Sequence, residues 1–372
     1  MAAIGQRTYK SMQILCITGH SDRPEAETFI GLKKTGGFNM HILCPESAPH
    51  FKRLIDAGVQ VTPFELKKRI DLNGIRKIRA VILKNKIDIL HLFNNKAASN
   101  GILASINLPV KIIAYRGIVA NVSFFNPMSW MTYLNPKVNR IICVAEAVRR
   151  YFLKMRLLWH QIPRNKPVTI YKGHSLDWYQ DDPSDLKEFG IPKHAFVVGC
   201  TANIRPRKGI HVLIEAADHL PSNLPIHFLL VGHMTSSKLL KQIQNSKYKN
   251  QIHLTGFRSD APALQAACNT AVLPALRREG LPKVIIEAMA YGVAPVVTNS
   301  GGSPELIENN KSGLIVPPGD AKAIAGAILS LFKDPVLCKN LGENAKSRIA
   351  SCFRIEDTVL KTGKLYKTLL IS

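Results

Sequence analysis

Short apolar runs that alternate with helical patterns place the tightest limit on what this chain can fold into. Residues 13–18, 40–44, 59–63, 87–92, 110–115 and 140–144 are such runs. Most are near-continuous in apolar character, as strands buried on both faces are. Between them, residues 25–34 carry Phe29, Ile30 and Leu32, and residues 72–86 carry Ile75, Ile78, Val81 and Ile82 at helical spacing. Strands that alternate with helices build a parallel sheet covered on both sides. The pattern restarts beyond a polar, turn-rich segment at 181–185, with strand-like runs at 196–201, 226–232, 252–258 and 294–299 and a helix at 210–220. A length of 372 residues suits two such α/β domains, each doubly wound and Rossmann-like.

Within the second half, one stretch stands out. Glu279 and Glu287 are separated by seven residues, and Gly280-Leu281-Pro282 follows the first acid directly. Pro282 suits the first position of a helix and Gly292 the position just past its end, which predicts a helix over 282–291. Its amide-rich start, together with Gly280 and Leu281, would face an anion such as phosphate. Glu279 would stand in the loop before it. Glu287, about a turn and a half inside, can accept two hydrogen bonds from a vicinal diol. The plainer reading is an amphipathic core helix with an acidic entrance. A second phosphate signal is the basic loop Ile204-Arg205-Pro206-Arg207-Lys208-Gly209 at the start of the 210–220 helix. The strand ending in Gly232 can admit a diphosphate closely.

Over residues 279–320, the order Glu279…Glu287, the strand 294–299, the Ser300-Gly301-Gly302-Ser303 turn and the Pro317-Pro318-Gly319 turn resemble a retaining glycosyltransferase of family 4, bacterial cell-envelope type, with the GT-B fold. The resemblance implies two facing Rossmann-like domains with a cleft between them. They would span 12–178 on the acceptor side and 179–353 on the donor side, and a C-terminal helix at 354–372 would cross back. It also implies transfer from a nucleotide diphosphate sugar, with Glu279 orienting sugar hydroxyls and Glu287 holding the ribose. Lys208 matches the family's phosphate-binding lysine. The paired arginine falls at Asn203, so Arg205 or Arg207 would supply its charge. Phe257 and Arg258 fall in the loop that reads the nucleobase, although core or surface roles fit them equally. On the acceptor side, family members carry a glycine pair in the first loop and a histidine in a second. Here those places hold His20 and Arg116. Arg116 can grip a phosphate or carboxylate in two-pronged fashion, or serve a structural salt bridge. Catalysis is therefore expected from Glu279, Lys208 and Arg116. The chain contains no Asp-x-Asp triplet, so no metal and no other cofactor is expected. An epimerase, a phosphorylase or a non-catalytic nucleotide-sugar binder remain the alternatives.

The net charge of +24 is uneven: residues 1–180 hold 27 Lys and Arg against 10 Asp and Glu. Such a field attracts polyanions or an anionic membrane. No helix-turn-helix, zinc-finger or aromatic stacking pattern supports nucleic acid, so the expected partners are an anionic or lipid-linked glycan acceptor, such as lipopolysaccharide core, and an anionic membrane surface. The basic stretch 146–162, with Val148, Phe152, Met155 and Trp159 on one helical face, is expected either to lie in a membrane interface or to pack on the sheet. Seven cysteines without metal spacing read as small buried hydrophobes in a reducing compartment. With no membrane-length apolar run and no signal-peptide core, the expectation is a cytoplasmic protein peripheral to the inner face of the cell membrane. Residues 1–11 are expected to be a frayed tail or an over-read start.

Overall fold

The computed structural model describes residues 11–371; all but the last residue of the expected 1–11 tail lies outside them. Two compact units emerge, one made of residues up to Gly173 together with those from Ile355, the other of His174–Arg354. The boundary thus falls at 173/174, ahead of the 178/179 expected from sequence. His174 belongs with the second unit: its amide donates to the Phe353 carbonyl at 2.7 Å, and its Nδ1 meets the Tyr179 hydroxyl at 2.5 Å.

The first unit runs β1 (Met12–Ile17), α1 (Arg23–Lys34), β2 (Phe38–Cys44), α2 (Phe51–Asp56), β3 (Gln60–Pro63), α3 (Leu72–Lys84), β4 (Ile89–Leu92), α4 (Asn95–Ala104), β5 (Lys111–Arg116), α5 (Pro127–Trp130), β6 (Val138–Cys143), α6 (Glu146–Lys154), β7 (Arg156–Leu157), β8 (His160–Gln161) and β9 (Pro167–Thr169). Its sheet has the order β3-β2-β1-β4-β5-β6-β9, every pair parallel. The second unit runs β10 (Phe196–Thr201), α7 (Ile210–His219), β11 (Ile226–Val231), α8 (Ser237–Asn245), β12 (Ile252–Gly256), α9 (Ala261–Ala266), β13 (Thr270–Leu273), α10 (Lys283–Ala290), β14 (Ala294–Thr298), α11 (Ser303–Leu306), β15 (Leu314–Val316), α12 (Ala321–Lys333) and α13 (Pro335–Cys352). Its order is β12-β11-β10-β13-β14-β15, again all parallel.

Alternation along the strands explains the double winding. In β10, Val198 and Cys200 join the core beneath α7 and α12, while Val197 joins Leu229, Leu264 and Cys268 on the opposite face. Each sheet reverses its strand order once, between β1 and β4 and between β10 and β13, and ligands of such sheets bind where the loops part at that reversal.

The last helix, α14 (Ile355–Ile371), returns to the first unit and packs on α1. Val359 lies so close to Gly31 that a Cβ there would come within 2.5 Å of it. Tyr366 is fully buried and its hydroxyl meets Nδ1 of buried His91 at 2.7 Å.

Two elements differ from the sequence pattern. The helix expected in 146–162 stops at Lys154, because Met155 turns extended (φ −69°, ψ 124°) and the chain enters a tight antiparallel hairpin, β7–β8. Helical periodicity through 159 is coincidental: Val148 and Phe152 are buried, whereas Trp159 sits in the hairpin turn. The 282–291 helix is Lys283–Ala290, and Pro282, with φ −72° and ψ 108°, is its cap instead of its first residue. All seven cysteines are free, and only Cys352 is exposed.

Candidate functional site

The reversal in the second unit places two loops side by side, 202–209 after β10 and 274–282 after β13. They are stitched by the Leu276 amide donating to the Arg207 carbonyl at 2.8 Å. The close seam requires glycine. Gly209 has φ +70°, and a Cβ on it would stand 1.9 Å from the Pro274 carbonyl oxygen. The 3₁₀ turn Pro206–Lys208 then aims Lys208 across the seam.

Lys208 Nζ lies 3.0 Å from Oε1 and 3.1 Å from Oε2 of Glu279, and Arg207 Nη1 lies 3.6 Å from Oε1. Glu279 is 4% exposed, and these two cations are its ion-pair partners. Its backbone is held as firmly. The Gly302 amide donates to the Glu279 carbonyl at 3.2 Å, and Gly301, with φ +59°, leaves room where a Cβ would come within 2.0 Å of that oxygen. Arg278, just before, takes φ +68°, a conformation uncommon outside glycine. A carboxylate fixed on both its side chain and its backbone is a preorganised acceptor.

Gly280 is buried and Leu281 half-buried. Beyond them Pro282 caps α10 without a side-chain hydrogen bond, and the first turn, from Lys283, holds no acid, which leaves its positive end unneutralised from within. Glu287 is buried on α10, and Lys283, one turn earlier, reaches its Oε1 at 2.8 Å from an exposed position.

The other expected donor residues are distributed differently. Gly232 has φ +130°, and the atom that crowds it is the Ala202 carbonyl oxygen, 2.2 Å from a would-be Cβ. Its amide donates to the Gly256 carbonyl at 2.8 Å. Phe257 is 69% exposed and stacks on His233 at 5.8 Å and 16°. That partner went unnoticed in the sequence, where an exposed histidine after a glycine carries no periodic signal. Arg258 is occupied: it grips Asp260 at 2.7 and 2.8 Å and Glu188 at 3.0 Å through two nitrogens. These bonds, Asp260 first, raise its pKa further above its ordinary value. Asn203 and Arg205 are exposed. Arg205 lines a cavity of about 740 Å³ with Arg207, Lys238 and Arg277.

In the first unit, Arg116 ends β5 and is 5% exposed. Its Nε donates to the Ile118 carbonyl at 3.1 Å, its Nη2 to the Ala120 carbonyl, and its guanidinium lies 5.0 Å over the Tyr133 ring. It latches the turn where Ala120 and Asn121 take positive φ. It also lines a polar cavity of about 350 Å³ with Arg69, Asn95, Asn121 and Asn126. His20 is exposed in the loop after β1, its amide on Thr18 Oγ1 at 3.4 Å.

A charged cluster that no motif announced lies in the same unit. Lys172 Nζ sits 2.7 Å from Asp22 and 3.8 Å from buried Glu25. Burial pushes the Glu25 carboxyl up to about 7 against the pull of Lys172. Burial alone would lower the Lys172 ammonium, but Tyr115, Asp22 and Glu25 hold it above its usual range.

Among the described residues, no three His, Cys, Asp or Glu side chains gather as a metal site, and no helix is long and apolar enough to cross a membrane.

Residues 181–348 match the family model of glycosyl transferases group 1, and residues 31–178 match that of glycosyltransferase family 4. An Escherichia coli UDP-Gal:alpha-D-GlcNAc-diphosphoundecaprenol alpha-1,3-galactosyltransferase is 24% identical over 355 residues, 90% of each chain. A Rhizobium leguminosarum lipopolysaccharide core biosynthesis mannosyltransferase is 27% identical over 215 residues, 55% of this chain and 60% of its own. The crystal structure of Anabaena HepE in complex with UDP and glucose superposes with a TM-score of 0.78 at 22% identity, covering 96% of this chain and all of the other.

Proposed function

The chain belongs to glycosyltransferase family 4 and is a glycosyltransferase of the GT-B fold, and from that premise we propose that it moves a sugar, with retention of anomeric configuration, from a nucleotide diphosphate sugar to a lipid-linked envelope glycan. The observation that carries this reading is the pairing of Lys208 with buried Glu279 at the strand-order reversal, beside the uncapped start of α10.

The reading assigns each group one task. Lys208 and Arg207 neutralise the diphosphate, helped by the first amides of α10. Glu279 then accepts from the hydroxyls of the transferred sugar, fixing the anomeric carbon against the acceptor. Glu287 accepts from the ribose diol. The leaving phosphate, held by the lysine, takes the acceptor proton on the same face. Retention then needs no side-chain nucleophile, and fixed cations replace a divalent metal. Arg116 and His20 would serve the acceptor. The galactosyltransferase relative, matched over 90% of both chains, is named for a diphosphoundecaprenol-linked acceptor, which favours a lipid diphosphate. The mannosyltransferase match, over about half of this chain, favours lipopolysaccharide core as the second reading. UDP named in that galactosyltransferase and bound in HepE favours uracil as the base.

Activity toward a panel of UDP-sugars, with lipid diphosphate-linked and lipopolysaccharide-core acceptors, tests the reading. Transfer that persists in excess chelator, with an axial product anomer by NMR, is expected. Inverted product or loss of turnover in chelator would overturn the mechanism. Glu287→Ala is expected to raise the donor KM at least tenfold while leaving kcat within a few-fold; unaltered donor kinetics would remove Glu287 from the ribose.

A further inference from the structure

We propose that the β7–β8 hairpin is a membrane-docking element whose tip, Leu158 and Trp159, enters an anionic lipid surface. Helix α6 cannot do this itself, since its apolar residues Val148 and Phe152 are fully buried in the first unit. The hairpin after it is different. Leu158 is 76% and Trp159 80% exposed, so two of the largest apolar side chains stand in water at the turn. A two-residue hairpin turn ordinarily selects Asn-Gly, because it needs positive φ. Here Leu158 takes φ +53°, a strained state for a leucine, and holds the apolar tip outward.

The surroundings match a bilayer. From Ala147 to Leu176 the sequence contains no acidic residue. Lys166 and Lys172 in that stretch are used inside the unit, on the Asn135 carbonyl and on Asp22. Arg150, Lys154, Arg156 and Arg164 are exposed, and none forms an ion pair among the described residues. Cations around an amphipathic aromatic tip are what an anionic lipid face attracts, and an indole is at home at its headgroup level. A second exposed aromatic segment is tied to the same helix. The Tyr151 hydroxyl of α6 donates to the Val122 carbonyl, and beyond it Phe125 is 81% exposed, with Trp130 bonded to the Phe124 carbonyl at 2.8 Å. A protein partner would more commonly find a satisfied polar rim than a rim of cations alone. The proposal rests on the lipid-linked acceptor only for its purpose. Vesicle binding is measured without donor or acceptor, so its failure leaves sugar transfer standing.

The chain has three tryptophans; replacing Trp130 and Trp178 by Phe leaves Trp159 as the only reporter. With this protein, phosphatidylcholine vesicles containing about 30% phosphatidylglycerol should shift its emission to the blue. Lipids brominated along the acyl chain should quench it, and pure phosphatidylcholine should do neither. In cosedimentation, Leu158→Ser with Trp159→Ser should reduce partitioning at least tenfold. Arg156→Gln alone should reduce it about fivefold and weaken the salt dependence. Unchanged circular dichroism of these surface variants checks that the fold is kept. Equal vesicle binding by the double variant, an unquenched Trp159, or a lipid-free dimer that the double variant dissolves would each overturn the assignment.

Discussion

The two units share one strand order over six strands, the first adding β9 at its edge, yet they use the reversal of that order in opposite ways. In the second, the loops after β10 and β13 are joined by backbone and by charge, with Lys208 of one loop on Glu279 of the other. In the first, the corresponding loops after β1 and β4 approach each other through uncharged groups: Asn94 Nδ2 would stand 3.2 Å from a Cβ on Gly19. The cation there, Lys172, comes from beyond β9 and is claimed by Asp22 and Glu25. The scaffold therefore fixes where a ligand can lie and leaves the loops to decide what charge it meets. A lysine balanced by one buried carboxylate can be lent to a phosphate. A lysine enclosed by two carboxylates and a tyrosine ring is spoken for.

The largest expected effect tests that contrast directly. Lys208→Ala should lower kcat/KM about 10²–10³-fold, measured with saturating acceptor, as loss of a preorganised charge does. Lys172→Ala should act mainly on stability, and a comparable loss of kcat/KM in a folded Lys172→Ala protein would erase the distinction. Next comes Gly209→Ala, which should destabilise by about 3 kcal/mol or more in urea titration, because the added Cβ overlaps the Pro274 carbonyl oxygen and the backbone keeps φ +70°. Third is a pH effect in the first unit. Burial pushes the His91 imidazole down to about 3 from an ordinary 6.5. Below pH 6.5 the unfolded chain takes up a proton that the folded one refuses, so stability is lost as pH falls from 6.5 toward 3, by up to about 1.4 kcal/mol per pH unit. His91→Phe should remove that part of the slope; an unchanged slope would show that His91 is solvated. The smallest effect is Gly36→Ala. Gly36 has φ +73° but nothing within 4 Å, so only about 1 kcal/mol of backbone strain is expected.

Much of this architecture was legible because buried parallel strands are long apolar words: β1, β2, β5, β6, β10, β11 and β14 all coincide with runs visible in the sequence. What escaped was short or borrowed. β13, beside the reversal itself, has four residues, Thr270–Leu273, and no β-branched run to announce it. α4 is weakly amphipathic and starts on an asparagine cap. The hairpin after α6 was hidden because a helical period continued by chance through a stretch whose pairing is local. At the candidate site the residue types were readable, since Lys208 and Glu279 sit in recognisable turns. Their pairing across 71 positions was not, and neither was the carboxylate grip that occupies Arg258. Sequence spacing reports what a side chain is; only packing reports what has already claimed it.

The return of α14 has a consequence for the order of assembly. The ribosome completes residues 174–354 before it makes the helix that supplies Tyr366 and Leu369 to the first core. The later-made unit can therefore mature first, while the earlier one waits with the His91 and Phe38 region uncovered. During that interval the nascent chain depends on α14 emerging promptly, and premature termination before residue 355 would leave the amino-terminal half a client for chaperones.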